Sequence, residues 1–186
     1  MTPPAEGPQA ADSYVRLTGV LLVGGASARF GSPKALARFK GETLAERGHR
    51  LLADACDEVV VVGKARELHG LPFPVVDDGT DDRAPVYGLL AGMRRAGHDV
   101  VVALPVDVPL ITHDALRALG EAGAVPSARV PLPGAYPRVL LPVIESRIAG
   151  GELSLRGLNA TTLAIPDELL VDADTPAALA RLERLA

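Results

Sequence analysis

An apolar run followed by a glycine-rich loop lies near the start of the chain, where residues 17–34 read LTGVLLVGGASARFGSPK. Residues 17–24 are short, apolar and closed by glycine, which predicts a parallel strand buried on both faces. Further apolar runs at 58–63 and 99–104 predict two more buried strands, and helical patterns alternate with them. This alternation predicts an α/β fold in three layers, with helices on both faces of a mostly parallel, Rossmann-like sheet.

The loop after the first strand has the composition of a phosphate-binding loop. Gly24, Gly25 and Gly31 allow positive φ and a close approach of backbone to ligand. Successive N–H groups in such a loop can form an anion site. Arg29 and Lys34 add two positive charges. The spacing is neither that of a Walker A loop nor that of a dinucleotide fingerprint, and an ordinary strand-to-helix turn is the alternative.

The composition of the chain limits the classes of protein to which it can belong. The chain has 186 residues, 48% hydrophobic and 23% charged, which predicts one folded domain over residues 14–186 behind a disordered tail at 1–13. A net charge of −4 and an aromatic content of 3% weigh against nucleic-acid binding. No apolar run is long enough to span a membrane, and no secretory signal precedes the domain, so a cytoplasmic location is expected. Cys56 is the only cysteine, and the four histidines do not have the spacing of metal ligands.

Helix signals are clear in the first half and weaker later. Thr43 and Glu46 fit a capping box, which predicts a helix to about residue 55. Thr112 predicts a helix start, and so does the pair Thr175-Pro176. Between the helix starts at Thr112 and Thr175, the pattern predicts short strands at residues 124–126, 130–132, 161–165 and 169–172. It also predicts helices at residues 138–149 and 154–159.

Two aspartates follow predicted strands at the edge of the sheet where ligands bind. Asp107 stands between Pro105 and Pro109, which stiffen its loop, and a rigid carboxylate opposite a phosphate loop suits Mg²⁺. The alternative is a turn aspartate that bonds its own backbone. Asp77 is the first residue after a short strand, and we expect it to face the cleft. Asp78 and the later aspartates of that loop are predicted to be solvated.

Several segments together resemble a known family. Residues 22–36 (LVGGASARFGSPKAL) are similar to the opening motif of the molybdenum cofactor nucleotidyltransferases, and residues 105–109 (PVDVP) to their Pro-Cys-Asp-x-Pro motif. Asp77, Pro85 and Gly88 match a third motif in register. Residues 150–156 and 172–176 resemble the two later motifs of the family. The chain most closely resembles the guanylyltransferases, whose fold is of the nucleotide-diphospho-sugar transferase type.

The resemblance implies transfer of GMP from GTP to the phosphate of Mo-molybdopterin, with release of pyrophosphate. It implies Mg²⁺ as cofactor, held by Asp107, and leaves room for transient contacts with proteins that deliver or accept the cofactor. Lys34, Asp107 and Arg29 are the implied catalytic residues. The implied nucleotide-binding residues are Leu22, Val23, Gly24, Gly25, Gly31, Lys34, Asp77 and Asp107. The implied acceptor-side or second-metal residues are Arg156, Asp172 and Asp174.

Three alternatives remain open from the sequence. The donor could be CTP, which would make a cytosine dinucleotide cofactor. The acceptor could be a sugar or small alcohol phosphate, a reading that the pair Pro33-Lys34 favours. The chain could also be a nucleotide-binding adaptor that performs no transfer. An adaptor would bind nucleotide without releasing pyrophosphate.

Overall fold

The computed structural model of the chain describes residues 14–24, 30–31 and 33–185. Its strands are β1 (Leu17–Leu22), β2 (Arg38–Phe39), β3 (Glu42–Thr43), β4 (Glu58–Gly63), β5 (Val76–Asp77), β6 (Val100–Pro105) and β7 (Gly134–Pro137). Five of them form one sheet in the order β5-β4-β1-β6-β7, in which only β7 runs antiparallel to its neighbour. Strands β2 and β3 form a separate antiparallel hairpin.

Helices cover both faces of the five-stranded sheet. They are α1 (Leu44–Ala55), α2 (Pro85–Arg95), α3 (His113–Ala122), α4 (Leu141–Ala149) and α5 (Pro176–Leu185). Alternate residues of β1 point to opposite faces. Leu17 and Leu21 therefore belong to the core under α1 and α3, whereas Val20 and Leu22 belong to the core under α2 and α4. The predicted three-layer fold with a mostly parallel sheet is confirmed.

Helix α5 closes a third, smaller core beside the hairpin. Leu179 and Leu182 of this helix are buried with Phe39 of β2 and with Ala173. The backbone N–H of Ala173 donates to the carbonyl of Asp107 at 2.7 Å. This contact joins the segment before α5 to the loop that follows β6.

The predicted start of α1 is confirmed in detail. Thr43 Oγ1 accepts from the N–H of Glu46 at 3.1 Å, and Glu46 Oε2 accepts from the N–H of Thr43 at 2.8 Å. Two orphan donors of the first turn are therefore satisfied reciprocally. The starts of α3 after Thr112 and of α5 after Thr175 are also confirmed.

Within residues 124–172 the predicted helix at 138–149 is confirmed as a 3₁₀ turn at Arg138–Leu140 followed by α4, whereas the other predictions were wrong. Residues 154–159 form no helix, only isolated bridges occur at 124–132 and 161–165, and Asp167–Leu170 is a 3₁₀ turn. Long-range side-chain contacts explain the irregular backbone. Asn159 Nδ2 donates to the carbonyls of Gly123 and Ala135, both at 2.7 Å, and Arg147 donates to carbonyls between 154 and 157. These side chains replace the ladder bonds that a helix or strand would supply.

None of the helices in the described part of the chain is long and apolar enough to cross a membrane.

Candidate functional site

A cleft of about 290 Å³ opens at the carboxyl ends of the central strands. Strand β1 lies between β4 and β6, so the ends of these three strands meet at one edge. Chemistry-bearing loops after parallel strands converge at such an edge. The cleft is lined by Leu22, Gly24, Lys34, Val62, Gly63, Lys64, Asp78, Arg83, Ala84, Pro85, Gly88, Pro105, Val106, Asp107, Leu132 and Asp174.

Lys34 and two carboxylates form a charged cluster in this cleft. Lys34 Nζ lies 3.3 Å from Asp107 Oδ2 and 3.1 Å from Asp174 Oδ1. The lysine side chain is 14% exposed, whereas those of Asp107 and Asp174 are 31% and 62% exposed. The cation is therefore held mostly away from solvent, with carboxylates that face the opening. The structure brings together residues that are 73 and 140 positions apart in the chain.

Asp172 adds negative charge to the same cluster. Partial burial raises the pKa of Asp172, and the neighbouring carboxylates of Asp107 and Asp174 raise it further. The positive charge of Lys34 acts in the opposite direction. The carboxylates of Asp107 and Asp174 therefore act electrostatically on that of Asp172, beside the positive charge of Lys34.

The cluster has the donor chemistry that a hard divalent cation requires. Within residues 14–24, 30–31 and 33–185, no three His, Cys, Asp or Glu side chains form a ready-made metal site. Mg²⁺ does not need such a site, because it is typically held by one or two carboxylates, with waters and substrate phosphates completing the shell. Asp107, together with Asp174, fits that mode of binding.

The floor of the cleft is backbone packed against backbone. A Cβ on Gly63 would stand 2.8 Å from the amide nitrogen of Gly24, closer than real Cβ contacts allow. Val23 donates its N–H to the Val62 carbonyl at 2.9 Å, and the Leu22 carbonyl accepts from Val106 at 3.3 Å. The loop after β1 is thereby fixed to both neighbouring strands. Val23 is itself buried and does not line the cleft.

A buried ion pair that sequence reasoning missed lies at the other end of the cleft. Lys64 follows β4 and is only 3% exposed. Its Nζ lies 2.7 Å from Asp78 Oδ1, and the Asp78 side chain is 8% exposed. The solvated character predicted for Asp78 was therefore wrong. The rarity of lysine, with three in 186 residues, was a signal that could have drawn attention to Lys64.

The expectation that Asp77 faces the cleft was also wrong. Its side chain is exposed, its Oδ1 accepts from the N–H of Gly79 at 2.9 Å, and Asp78 takes the place in the lining. An aspartate that bonds the backbone two residues on forms an Asx turn. Asp78 is instead buried by its ion pair with Lys64.

The other predicted residues divide into two groups. Gly31 has the expected positive φ, 68°, yet like Arg156 it is exposed and does not line the cleft. Gly25 and Arg29 lie outside the described residues, as does the predicted tail at 1–13. Their roles stay predictions.

Known proteins resemble this chain over most of its length. The family model for the MobA-like NTP transferase domain matches residues 19–162. The molybdenum cofactor guanylyltransferase of Pseudomonas fluorescens (strain Pf0-1) is 31% identical over 177 residues, covering 84% of this chain and 88% of that protein.

Solved structures give the same result for the fold. A protein of Aquifex aeolicus VF5 is 30% identical, with a TM-score of 0.69 over 85% of this chain and 93% of that one. Molybdopterin-guanine dinucleotide biosynthesis protein A of Archaeoglobus fulgidus is 20% identical, with a TM-score of 0.75 over 90% and 97% of the two chains. At that identity the similarity shows the nucleotide-diphospho-sugar transferase type of fold alone. The family match and the cleft residues together lead to one conclusion: the chain belongs to the MobA-like NTP transferase family and is a nucleotidyltransferase.

Proposed function

We propose that this protein transfers GMP from GTP to the phosphate of molybdopterin and releases pyrophosphate. One observation carries the proposal: Lys34 is ion-paired with Asp107 inside the cleft at the carboxyl edge of the sheet. The name of the Pseudomonas fluorescens relative supports guanine as the donor base and molybdopterin as the acceptor.

The reaction needs positioning and charge stabilisation more than covalent help from the protein. A phosphate oxygen of the acceptor attacks the α-phosphorus of GTP, and a new P–O bond forms. The bond from the α-phosphorus to its bridging oxygen breaks, and pyrophosphate leaves with the electron pair. Negative charge therefore grows on the leaving oxygens during the reaction.

Lys34 is the group suited to that growing charge. Its ammonium is 14% exposed and is held by Asp107 and Asp174 before any substrate arrives. A cation that is fixed in advance needs no reorganisation when charge develops. Main-chain N–H groups after β1, together with Arg29, would bind the remaining phosphate oxygens.

Mg²⁺ is the proposed cofactor, with Asp107 as its main protein ligand. The oxygen donors of Asp107 and Asp174 suit this ion, which would partly neutralise the triphosphate when bound. Asp172 and Arg156 are proposed for the acceptor side on the strength of the sequence motifs only. The cytoplasmic location and the contacts with cofactor-handling proteins also stay predictions.

The first test is donor binding followed by thermal unfolding. The full chain is heated with GTP, CTP, ATP or UTP, with and without Mg²⁺. A ligand at 100 times its dissociation constant stabilises a protein by about 2.7 kcal/mol, which is several degrees for a chain of this size. We expect the largest rise in melting temperature with GTP and Mg²⁺ together.

The second test is turnover with molybdopterin. Product is identified by its mass, and pyrophosphate release is measured in the same reaction. A dinucleotide product from GTP supports the proposal. A product from CTP alone would replace guanine by cytosine, and donor binding without any pyrophosphate release would favour the adaptor.

A further inference from the structure

We infer that Glu183, near the far end of α5, is a positioning residue that holds Asp174 against Lys34. It acts by fastening α5 to the tip of the hairpin formed by β2 and β3. The inference rests on the proposed function, because it concerns how well the cleft uses the Mg²⁺ that accompanies the donor nucleotide. Glu183 lies about 14 Å along the helix axis from Asp174, so it does not touch the reacting groups.

The beginning of α5 carries Asp174 into the cleft. Asp174 directly precedes Thr175, whose carbonyl accepts from the N–H of Leu179 at 3.0 Å. The Thr175 Oγ1 accepts from the N–H of Ala178 at 3.1 Å. Lys34 is the partner that the structure shows for the Asp174 side chain, which is 62% exposed. The position of α5 therefore determines where this carboxylate stands.

Lys34 is joined to the same small core from the other side. It begins the 3₁₀ turn Lys34–Leu36, and β2 follows that turn. Phe39 of β2 is fully buried in the core that α5 closes. The 3.1 Å contact between Lys34 Nζ and Asp174 Oδ1 therefore depends on how α5 packs on the hairpin.

The tip of the hairpin offers a backbone donor to the far end of α5. Lys40 and Gly41 are the two residues of the turn, with φ values of 50° and 88°. Positive φ at both positions is what a type I′ turn requires, although a residue other than glycine adopts it at a cost. The N–H of Lys40 donates to Glu183 Oε1. The Gly41 carbonyl accepts from Arg38 Nη1 at 2.7 Å, so the turn is held from both sides.

Two anchors fix a helix that a single anchor would leave free to pivot. At its beginning α5 is tied by the N–H of Ala173, which donates to the Asp107 carbonyl at 2.7 Å. The apolar contacts between α5 and β2 add attraction without direction. The bond from Lys40 to Glu183 is directional and charge-assisted, because its acceptor is a carboxylate. It therefore fixes the tilt of α5 on the hairpin, and with it the place of Asp174 at the other end.

Loss of this bond should change the site more than the stability. Glu183 and Lys40 are both exposed, so water replaces the carboxylate at the Lys40 N–H. The contact uses the backbone of Lys40, and its side chain takes no part. Asp107 follows β6 and is not carried by α5, so Asp174 is the carboxylate that loses its place. The expected defect is weaker use of Mg²⁺ by a folded protein.

The test measures how much Mg²⁺ tightens the binding of GTP. Dissociation constants for GTP are determined calorimetrically on the full chain, without Mg²⁺ and at saturating Mg²⁺. Molybdopterin is left out, so that no transfer occurs. The ratio of the two constants is the gain from Mg²⁺. In Glu183→Ala we expect this gain to fall by about threefold to tenfold, the range of one hydrogen bond. GTP binding without Mg²⁺ should stay as in the wild type.

Three further variants separate the bond from other effects. Glu183→Gln loses the charge but keeps an Oε1 that accepts from the Lys40 N–H, so it should keep the gain to within about twofold. Arg184→Ala removes the neighbouring exposed side chain of the same helix and should keep the whole gain. Asp174→Ala should lower the gain by itself. Glu183→Ala should lower it no further in that background, because a positioning residue acts through the group that it positions. The melting temperature of each variant reports whether it folds.

The outcomes separate this inference from the proposed function. A gain that falls in Glu183→Ala, returns in Glu183→Gln and falls no further in the Asp174→Ala background supports the inference. An unchanged gain in Glu183→Ala, an equal fall in Glu183→Gln or a further fall in the Asp174→Ala background overturns it and leaves GMP transfer in place. A wild type in which Mg²⁺ tightens the binding of CTP but not of GTP overturns guanine as the donor base, and the same variants compared with CTP then decide the role of Glu183. A wild type in which Mg²⁺ tightens the binding of no nucleotide overturns the inference together with the proposed cofactor.

Discussion

Replacing Lys34 by methionine should remove most of the activity and leave the fold nearly unchanged. Methionine keeps an unbranched apolar stem of similar length. The Nζ that it removes lies 5.5 Å from the centroid of the Phe30 ring. The substitution removes the ammonium, with its bonds to Asp107 and Asp174 and its place over the Phe30 ring. The perturbation is therefore mainly electrostatic.

The expected loss of turnover is much larger than the expected loss of stability. Loss of a preorganised donor that stabilises developing charge reduces turnover by about 10²–10³-fold, or about 2.7–4 kcal/mol. The ion pairs of Lys34 contribute much less to stability, because their partners are 31% and 62% exposed and solvent screens them. Exposed pairs are typically worth about 0–1 kcal/mol, and such a loss lowers the melting temperature by about 2–4 °C in a chain of this size.

The assay is pyrophosphate release from GTP with molybdopterin, measured beside thermal unfolding of the same preparations. Lys40→Met serves as the matched control, since Lys40 is exposed on the hairpin and does not line the cleft. We expect Lys40→Met to retain turnover. A loss below about threefold in Lys34→Met would contradict the role of Lys34 in charge stabilisation. A fall in melting temperature of 10 °C or more, which far exceeds the roughly 4 °C expected, would show that Lys34 is mainly structural.

Three further results are expected from local features. Thr43→Ala removes the side chain that accepts from the N–H of Glu46, and should lower the unfolding free energy by about 1 kcal/mol in chemical denaturation; no change would mean that the cap adds nothing. Burial raises the pKa of the Cys56 thiol to about 12, so Ellman's reagent at pH 8 should react roughly a thousandfold more slowly with the native chain than with the unfolded one; equal rates would contradict that burial. Gly63→Ala would bring a Cβ to 2.8 Å from the Gly24 nitrogen. This contact should lower the free energy of unfolding by about 1–3 kcal/mol and weaken GTP binding in calorimetry. An unchanged free energy of unfolding and an unchanged dissociation constant for GTP would contradict the close packing.

The sheet could be predicted where burial alone determines the strand. Strands β1, β4 and β6 are buried runs of Val and Leu, and such runs read as strands without further context. Strand β7 was missed because it is only four residues long and contains both glycine and proline. It exists because β6 offers an edge with which it can pair in an antiparallel direction. That edge is a property of the folded sheet and is not visible in residues 134–137.

The candidate site likewise contains residues that the local sequence marks and residues that only the folded chain brings together. Lys34 and Asp107 were found because each lies in a loop whose glycines or prolines mark it directly in the sequence. The Lys64–Asp78 pair was missed because neither residue is unusual where it stands. Lys64 follows an ordinary strand, and Asp78 is one of several aspartates in its loop. Their significance arises only when β4 and β5 lie side by side.

The position of the cleft follows from the order of the strands rather than from any single motif. The chain leaves β1, adds β4 and β5 on one side, and then returns to place β6 on the other side of β1. The loops after β4 and β6 therefore diverge from the end of β1 and leave a crevice there. Lys34 and Asp107 lie on the β6 side of this crevice, and the Lys64–Asp78 pair lies on its β4 side. The order of the strands therefore separates the two charged clusters of the cleft, and Lys34→Met should slow the reaction while leaving the Lys64–Asp78 pair in place.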